Sequence, residues 1–162
     1  MQSSAHPVSS ASGRGGQRAP GTRGRVLLVE DDPEAALFAV YALKNRGRFE
    51  VVHTPDPAVA LALAATEPWD LALTDLDLPL MSGAELIAAL RRIAPHLPVI
   101  LVTGDAQDAF AAAGRCRPDD VLVKPVSAER LLAAAIALAG RRDPSGQAPN
   151  PNDPNPPGRQ RL

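Results

Sequence analysis

Four short apolar runs in this chain each end on a residue with reactive chemistry. Val26-Leu27-Leu28-Val29 leads into Glu30, Asp31 and Asp32, and Leu71-Ala72-Leu73-Thr74 leads into Asp75. Val99-Ile100-Leu101-Val102 leads into Thr103, and Val121-Leu122-Val123 leads into Lys124. A buried strand has no use for a carboxylate at its last residue, but a site at the carboxyl edge of a parallel sheet does. Carboxylates gathered at such an edge repel and raise one another's pKa. A hard divalent cation relieves that repulsion, and Mg²⁺ takes one or two carboxylates, waters and a phosphate oxygen. A lysine and a hydroxyl beside the cation complete a cradle for phosphoryl oxygens. A carboxylate can itself attack phosphorus. Phosphoryl transfer asks mainly for positioning and charge neutralisation, and these residue types supply both.

The stretches between the runs must bring those ends together. Asp32-Pro33 sets a capping carboxylate before a proline at the first helical position. This predicts a helix over 33–46, stopped by Gly47. A second strand is read at 49–52, and Asp56-Pro57 repeats the cap chemistry for a second helix. Ser82-Gly83-Ala84-Glu85 is a capping box for a third. A short, weak helix is read at 105–113. Ser127 caps a last helix through 138, which Gly140 ends. Strand and helix alternate five times, which predicts an α/β fold with a parallel sheet covered on both faces. The strands read as apolar throughout, as burial on both faces requires.

The chain has 162 residues, enough for one domain with its own core. Residues 25–140 are read as that domain. Residues 1–24 are rich in Ser, Gly, Pro and Arg, and 141–162 are rich in Pro, Asn and Arg. Neither can bury enough apolar surface to offset its ordering entropy, so both are expected to be disordered. The overall charge of −1 hides an asymmetry: +3 in the first segment and +2 in the last leave −6 in the middle. The scattered arginines are read as solubilising rather than as a nucleic-acid surface. One cysteine, Cys116, excludes an intramolecular disulfide and a thiolate metal cluster. No apolar run nears the roughly 18 residues of a membrane span, and no apolar leader stands at the N-terminus. A cytoplasmic protein without membrane contact is expected.

Four segments, in order and spacing, resemble the receiver domain of bacterial two-component response regulators. They are Val26 to Asp32, Asp75-Leu76-Asp77-Leu78-Pro79-Leu80-Met81-Ser82-Gly83, Val99 to Gly104, and Val121-Leu122-Val123-Lys124-Pro125. The resemblance covers residues 25–140. It implies a flavodoxin-like doubly wound (βα)5 fold with strand order 2-1-3-4-5. It implies that Asp75 is the phosphoacceptor, Asp31 a direct Mg²⁺ ligand, and Glu30 its acidic partner, often acting through water. The backbone carbonyl of Asp77 would complete the metal site. Thr103 and Lys124 would contact phosphoryl oxygens, and the Lys124–Pro125 bond would be cis. The implied donor is a sensor histidine kinase or a histidine phosphotransfer protein. With no DNA-binding helix-turn-helix read after Gly140, a stand-alone receiver acting on an unknown downstream protein is expected.

Two departures matter. Val121 stands where the family usually has Tyr or Phe, so activation is expected to run through backbone shifts between 104 and 121. Asp77 and Asp105 occupy positions that, by the resemblance, flank the phosphoryl group and tune its hydrolysis. The remaining candidates read more plainly. Asp32 is a cap rather than a ligand, and Trp69 and Tyr41 are packing residues. His53 and His96 are surface or core-edge residues away from the site, and Cys116 is a small buried hydrophobe. Two other classes stay open. Asp75-Leu76-Asp77 superficially fits an aspartate-nucleophile phosphatase of the haloacid dehalogenase type, which would turn over p-nitrophenyl phosphate. A receiver-like binding module that is never phosphorylated is the other. A dinucleotide-binding protein is disfavoured, because no Gly-rich loop follows the first strand.

Overall fold

The computed structural model describes residues 21–140. Residues 1–24 and 141–162 are read above as disordered; 1–20 and 141–162 lie outside the described residues, while Gly24 already opens β1 opposite Phe49, one residue before the domain start read from the sequence. Ten elements alternate: β1 (Gly24–Val29), α1 (Pro33–Tyr41), β2 (Phe49–Thr54), α2 (Pro57–Thr66), β3 (Leu71–Asp75), α3 (Gly83–Ile93), β4 (Val99–Thr103), α4 (Ala106–Cys116), β5 (Asp120–Val123) and α5 (Ala128–Ala139). All strand pairs are parallel, in the order β2-β1-β3-β4-β5. The fold class and strand order are those expected. The order reverses between β1 and β3, where Val29 lies opposite Thr74. Such a reversal opens a crevice at the carboxyl ends of the strands, and Glu30 and Asp75 emerge there.

Successive strand residues face opposite sides of the sheet, and the core divides accordingly. Val26 and Leu28 join Leu73, Ile100, Leu122, Leu131 and Ala135 on one side. Leu27 and Val29 join Trp69, Leu86, Leu90, Leu101 and Cys116 on the other. The caps work as the sequence indicated. Asp32 Oδ1 accepts from Glu34 N–H and Ala35 N–H, and Asp56 Oδ1 from Ala58 N–H. Ser82 and Glu85 close the reciprocal capping box of α3.

Three local expectations need correction. The first helix is α-helical only to Tyr41; Ala42–Arg46 form a π-helical turn, with Gly47 N–H bonded to Ala42 O at 3.0 Å. Gly47 allows this tight exit, since a Cβ there would lie 2.7 Å from both Leu43 O and Leu132 Cδ2. The fourth helix is neither short nor finished at 113: it runs eleven residues to Cys116. β2 extends to Thr54 and is not apolar throughout, because Glu50 and His53 are exposed. It is an edge strand, with a neighbour on one side only, so its pattern follows solvent rather than burial.

Candidate functional site

The crevice is floored by strand ends. Glu30 follows β1, Asp75 closes β3, Thr103 closes β4 and Lys124 follows β5. Glu30 is 5%, Asp75 7% and Thr103 1% exposed, so their side chains sit inside the protein rather than on it. Asp31 faces solvent. One carboxylate oxygen from each of Glu30, Asp31 and Asp75 lies within 4.8 Å of the others. Lys124 Nζ reaches Asp75 Oδ2 at 3.2 Å and Glu30 Oε2 at 3.4 Å. The second Asp75 oxygen, Oδ1, accepts from Leu76 N–H at 2.9 Å. Glu30 Oε1 accepts from Asp32 N–H at 3.1 Å. Under these groups a cavity of about 200 Å³ is walled by Leu28, Phe38, Leu73, Val102 and Leu131. Apolar walls keep the local dielectric low, which strengthens charge interactions at its mouth.

The electrostatics follow from that burial. Desolvation pushes the Glu30 carboxyl above its usual range; the Asp32 amide opposes this, the Asp75 charge adds to it and Lys124 offsets part. Burial pulls the Lys124 ammonium down, but the Asp75 and Glu30 carboxylates outweigh it, and its pKa is raised. Lys124 is therefore a cation throughout the neutral range. One ammonium faces three carboxylates, so the crevice keeps an excess of negative charge on hard oxygen donors. That donor set fits Mg²⁺, which favours carboxylate oxygens and retained water. Glu30, Asp31 and Asp75 could hold it.

A raised carboxyl pKa makes a stability statement. The folded protein holds the Glu30 proton more tightly than the unfolded chain does. Stability therefore falls as pH rises through the window above the ordinary glutamate value. Without metal, Glu30→Gln is expected to lessen that fall and to melt about 2–5 °C higher at neutral pH. Melting curves in chelator across about pH 5–7.5 check this. An unchanged slope would show that Glu30 carries no such penalty.

The other candidates are placed as follows. Thr103 Oγ1 turns toward the following loop: it accepts from Asp105 N–H at 3.2 Å and donates to Asp105 O at 3.3 Å. The backbone joins the strand ends, with Lys124 N–H bonded to Thr103 O at 2.8 Å. The Lys124–Pro125 bond is cis. Asp77 and Asp105 are exposed, and Asp105 Oδ1 accepts from Gln107 N–H. Val121 packs partly buried against the cluster that holds Leu101 and Cys116. Trp69 is buried, with Nε1–H donating to Leu63 O. Tyr41, read as a packing residue, is 60% exposed instead, because α1 turns that position outward. His53 was expected to lie away from the site. It sits at the end of β2, with Nε2 2.8 Å from Glu30 O. The signal for it was local: Pro55 and the Asp56-Pro57 cap, directly after β2, take donors away from the ladder.

The described fold and crevice define an α/β domain with an acidic, lysine-bearing site at its switch point. The sequence model of the response regulator receiver domain matches residues 26–136, and the chain belongs to that family, whose domains act in two-component signalling. A response regulator receiver protein of Anaeromyxobacter is 40% identical over 109 residues, which cover 67% of this chain and 45% of that one. The chain spans about half or less of several curated relatives it matches, 29% of one and 53% of another. A receiver domain protein of Methanospirillum hungatei, known from its crystal structure, aligns with TM-score 0.66 and 29% identity over 72% of this chain and 93% of that chain. The receiver domain of a sensor histidine kinase of Pseudomonas aeruginosa PAO1 aligns with TM-score 0.67 at 24% identity, over 72% and 98%. That likeness concerns the fold; its crystal structure has a magnesium ion coordinated in the active-site cleft. Among the described residues, no helix is long and apolar enough to cross a membrane.

Proposed function

We propose that Asp75 accepts a phosphoryl group from a histidine kinase or a histidine phosphotransfer protein, with Glu30, Asp31, Asp75 and the Asp77 carbonyl holding Mg²⁺. The observation that carries this reading is the bridge from Lys124 Nζ to Asp75 Oδ2 and Glu30 Oε2 within the acidic triad. Bound there, the cation neutralises the carboxylates and the entering phosphoryl oxygens. An Asp75 oxygen forms the P–O bond as the donor's P–N bond breaks, and the released imidazole takes up a proton. Leu76 N–H keeps the Asp75 carboxyl oriented by holding Oδ1. Lys124 then exchanges its Asp75 contact for a phosphoryl oxygen. Thr103 gives up its long, weak bonds to Asp105 and donates to another. The product is a transient acyl phosphate, and its added charge biases the surface that a downstream protein reads. By the family resemblance, Asp77 and Asp105 flank the phosphoryl group and act on the lifetime of that product.

The test is intact-mass spectrometry after incubation with acetyl phosphate, with Mg²⁺ or with chelator. A gain of about 80 Da, one phosphoryl group, is expected with Mg²⁺ and not with chelator. No gain in either sample would make this domain a binding module rather than a phosphoacceptor.

A further inference from the structure

The parallel ladder between β1 and β2 stops one bond short of where its own geometry would carry it. Val29 lies opposite Thr54, and Glu30 N–H still reaches Thr54 O at 3.3 Å. In a continued parallel ladder the next donor to Glu30 O is the amide of Asp56. That amide is already used: it donates to Thr54 Oγ1 at 3.1 Å. The chain has turned there so that Asp56 can cap α2, with its carboxylate accepting from Ala58 N–H at 2.8 Å. Pro55, in between, has no N–H to offer. Glu30 O is met instead by a side chain, His53 Nε2, at 2.8 Å. A carbonyl oxygen only accepts, so Nε2 carries the hydrogen.

This bond falls on the peptide that joins Glu30 to Asp31. The three carboxylates of the crevice are not held alike. Glu30 is fixed by Asp32 N–H and Lys124, and Asp75 by Leu76 N–H and Lys124. Asp31 is exposed, and among the described residues no hydrogen bond or ion pair holds its side chain. Its position is set through its backbone, between the Glu30 peptide and the capped start of α1. We propose that His53 is a positioning residue for the cation site: its Nε2–H replaces the lost ladder bond and orients the Glu30–Asp31 peptide, and so Asp31. The inference rests on the reading of Glu30, Asp31 and Asp75 as cation ligands.

The test titrates the full chain with Mg²⁺ by calorimetry at one pH. His53→Leu keeps bulk and removes the donor; His53→Gln restores an N–H at similar reach. The dissociation constant is expected to rise about threefold to tenfold in His53→Leu and to return within about twofold of the parent in His53→Gln. Their melting temperatures should match. Long-range ¹⁵N–¹H spectra of the unsubstituted protein should show the His53 hydrogen on Nε2, a readout that stands even if a variant fails to fold. Equal affinity in parent and His53→Leu overturns the proposal, as does a Gln variant as weak as the Leu variant. A hydrogen on Nδ1 alone also overturns it. Asp75→Asn in the same titration separates the two readings. If it binds Mg²⁺ as the parent does, the cation site fails and this inference with it. If Asp75→Asn is weakened and His53→Leu is not, only the role of His53 falls.

Discussion

Asp75→Asn is expected to leave the fold standing and to abolish phosphoryl labelling. The amide has nearly the volume of the carboxylate, and its oxygen can keep the bond from Leu76 N–H. Lys124 retains Glu30 Oε2 at 3.4 Å, so no buried charge is stranded. A neutral amide offers no anionic oxygen to phosphorus, and the covalent step has no nucleophile. Incubated with acetyl phosphate and Mg²⁺, the variant should show none of the roughly 80 Da gain expected of the parent. Its melting temperature in chelator should stay within about 3 °C of the parent. A persisting gain would move the acceptor to another acid, and peptide mapping of the labelled protein would identify it. The substitution also removes one of the charges that push Glu30 upward. The Glu30 carboxyl should therefore titrate lower than in the parent.

The largest expected loss of stability comes from Gly83→Ala. The chain leaves β3 at Asp75, loops through Leu78-Pro79-Leu80-Met81, and returns so that Gly83 opens α3 against the strand it left. Gly83 N–H bonds to Leu76 O at 2.7 Å. A Cβ at Gly83 would collide with the Asp75 carbonyl oxygen and stand 2.9 Å from Leu76 Cα. Both obstacles are backbone, so no rotamer change relieves the clash. Either the first turn of α3 moves out or the Asp75 peptide tilts, and the second outcome misplaces the Asp75 carboxylate. A cost of about 3 kcal/mol is expected, read as a fall of about 10–15 °C in melting temperature. Labelling of Asp75 should slow in the fraction that folds. A variant melting with the parent would show that the close approach is not needed.

Both predictions turn on features that the sequence shows to different degrees. The carboxylate at residue 75 is conspicuous, because an apolar run ends on it before a proline–glycine loop. Gly83 reads only as part of a capping box. Its contact with Asp75 is a meeting of residues eight apart around a loop whose path no local rule specifies. The helix caps were legible because a cap is a contact between neighbours in the chain: Asp32 with Glu34 and Ala35, Ser82 with Glu85. The π-helical turn at Ala42–Arg46 was not, since it depends on how Gly47 lies against Leu132 of α5. Tyr41 and the exposed face of β2 were misread for a related reason. Apolar content says that a segment packs somewhere, but not which positions the neighbouring elements leave open.

The alternation of strands and helices, the caps of α1, α2, α3 and α5, and the reactive side chains at the strand ends are all legible in the order of the amino acids. These are properties of short stretches, governed by periodicity, turn chemistry and apolar content. It takes the assembled sheet to bring Lys124 between Asp75 and Glu30, across 49 and 94 positions of chain. The same assembly makes Thr103 face Asp105 and His53 complete the ladder at Glu30. Those contacts depend on strand order and register, which sum weak preferences over the whole domain. The crevice forms where β1 and β3 part, a place that exists only once the sheet is assembled.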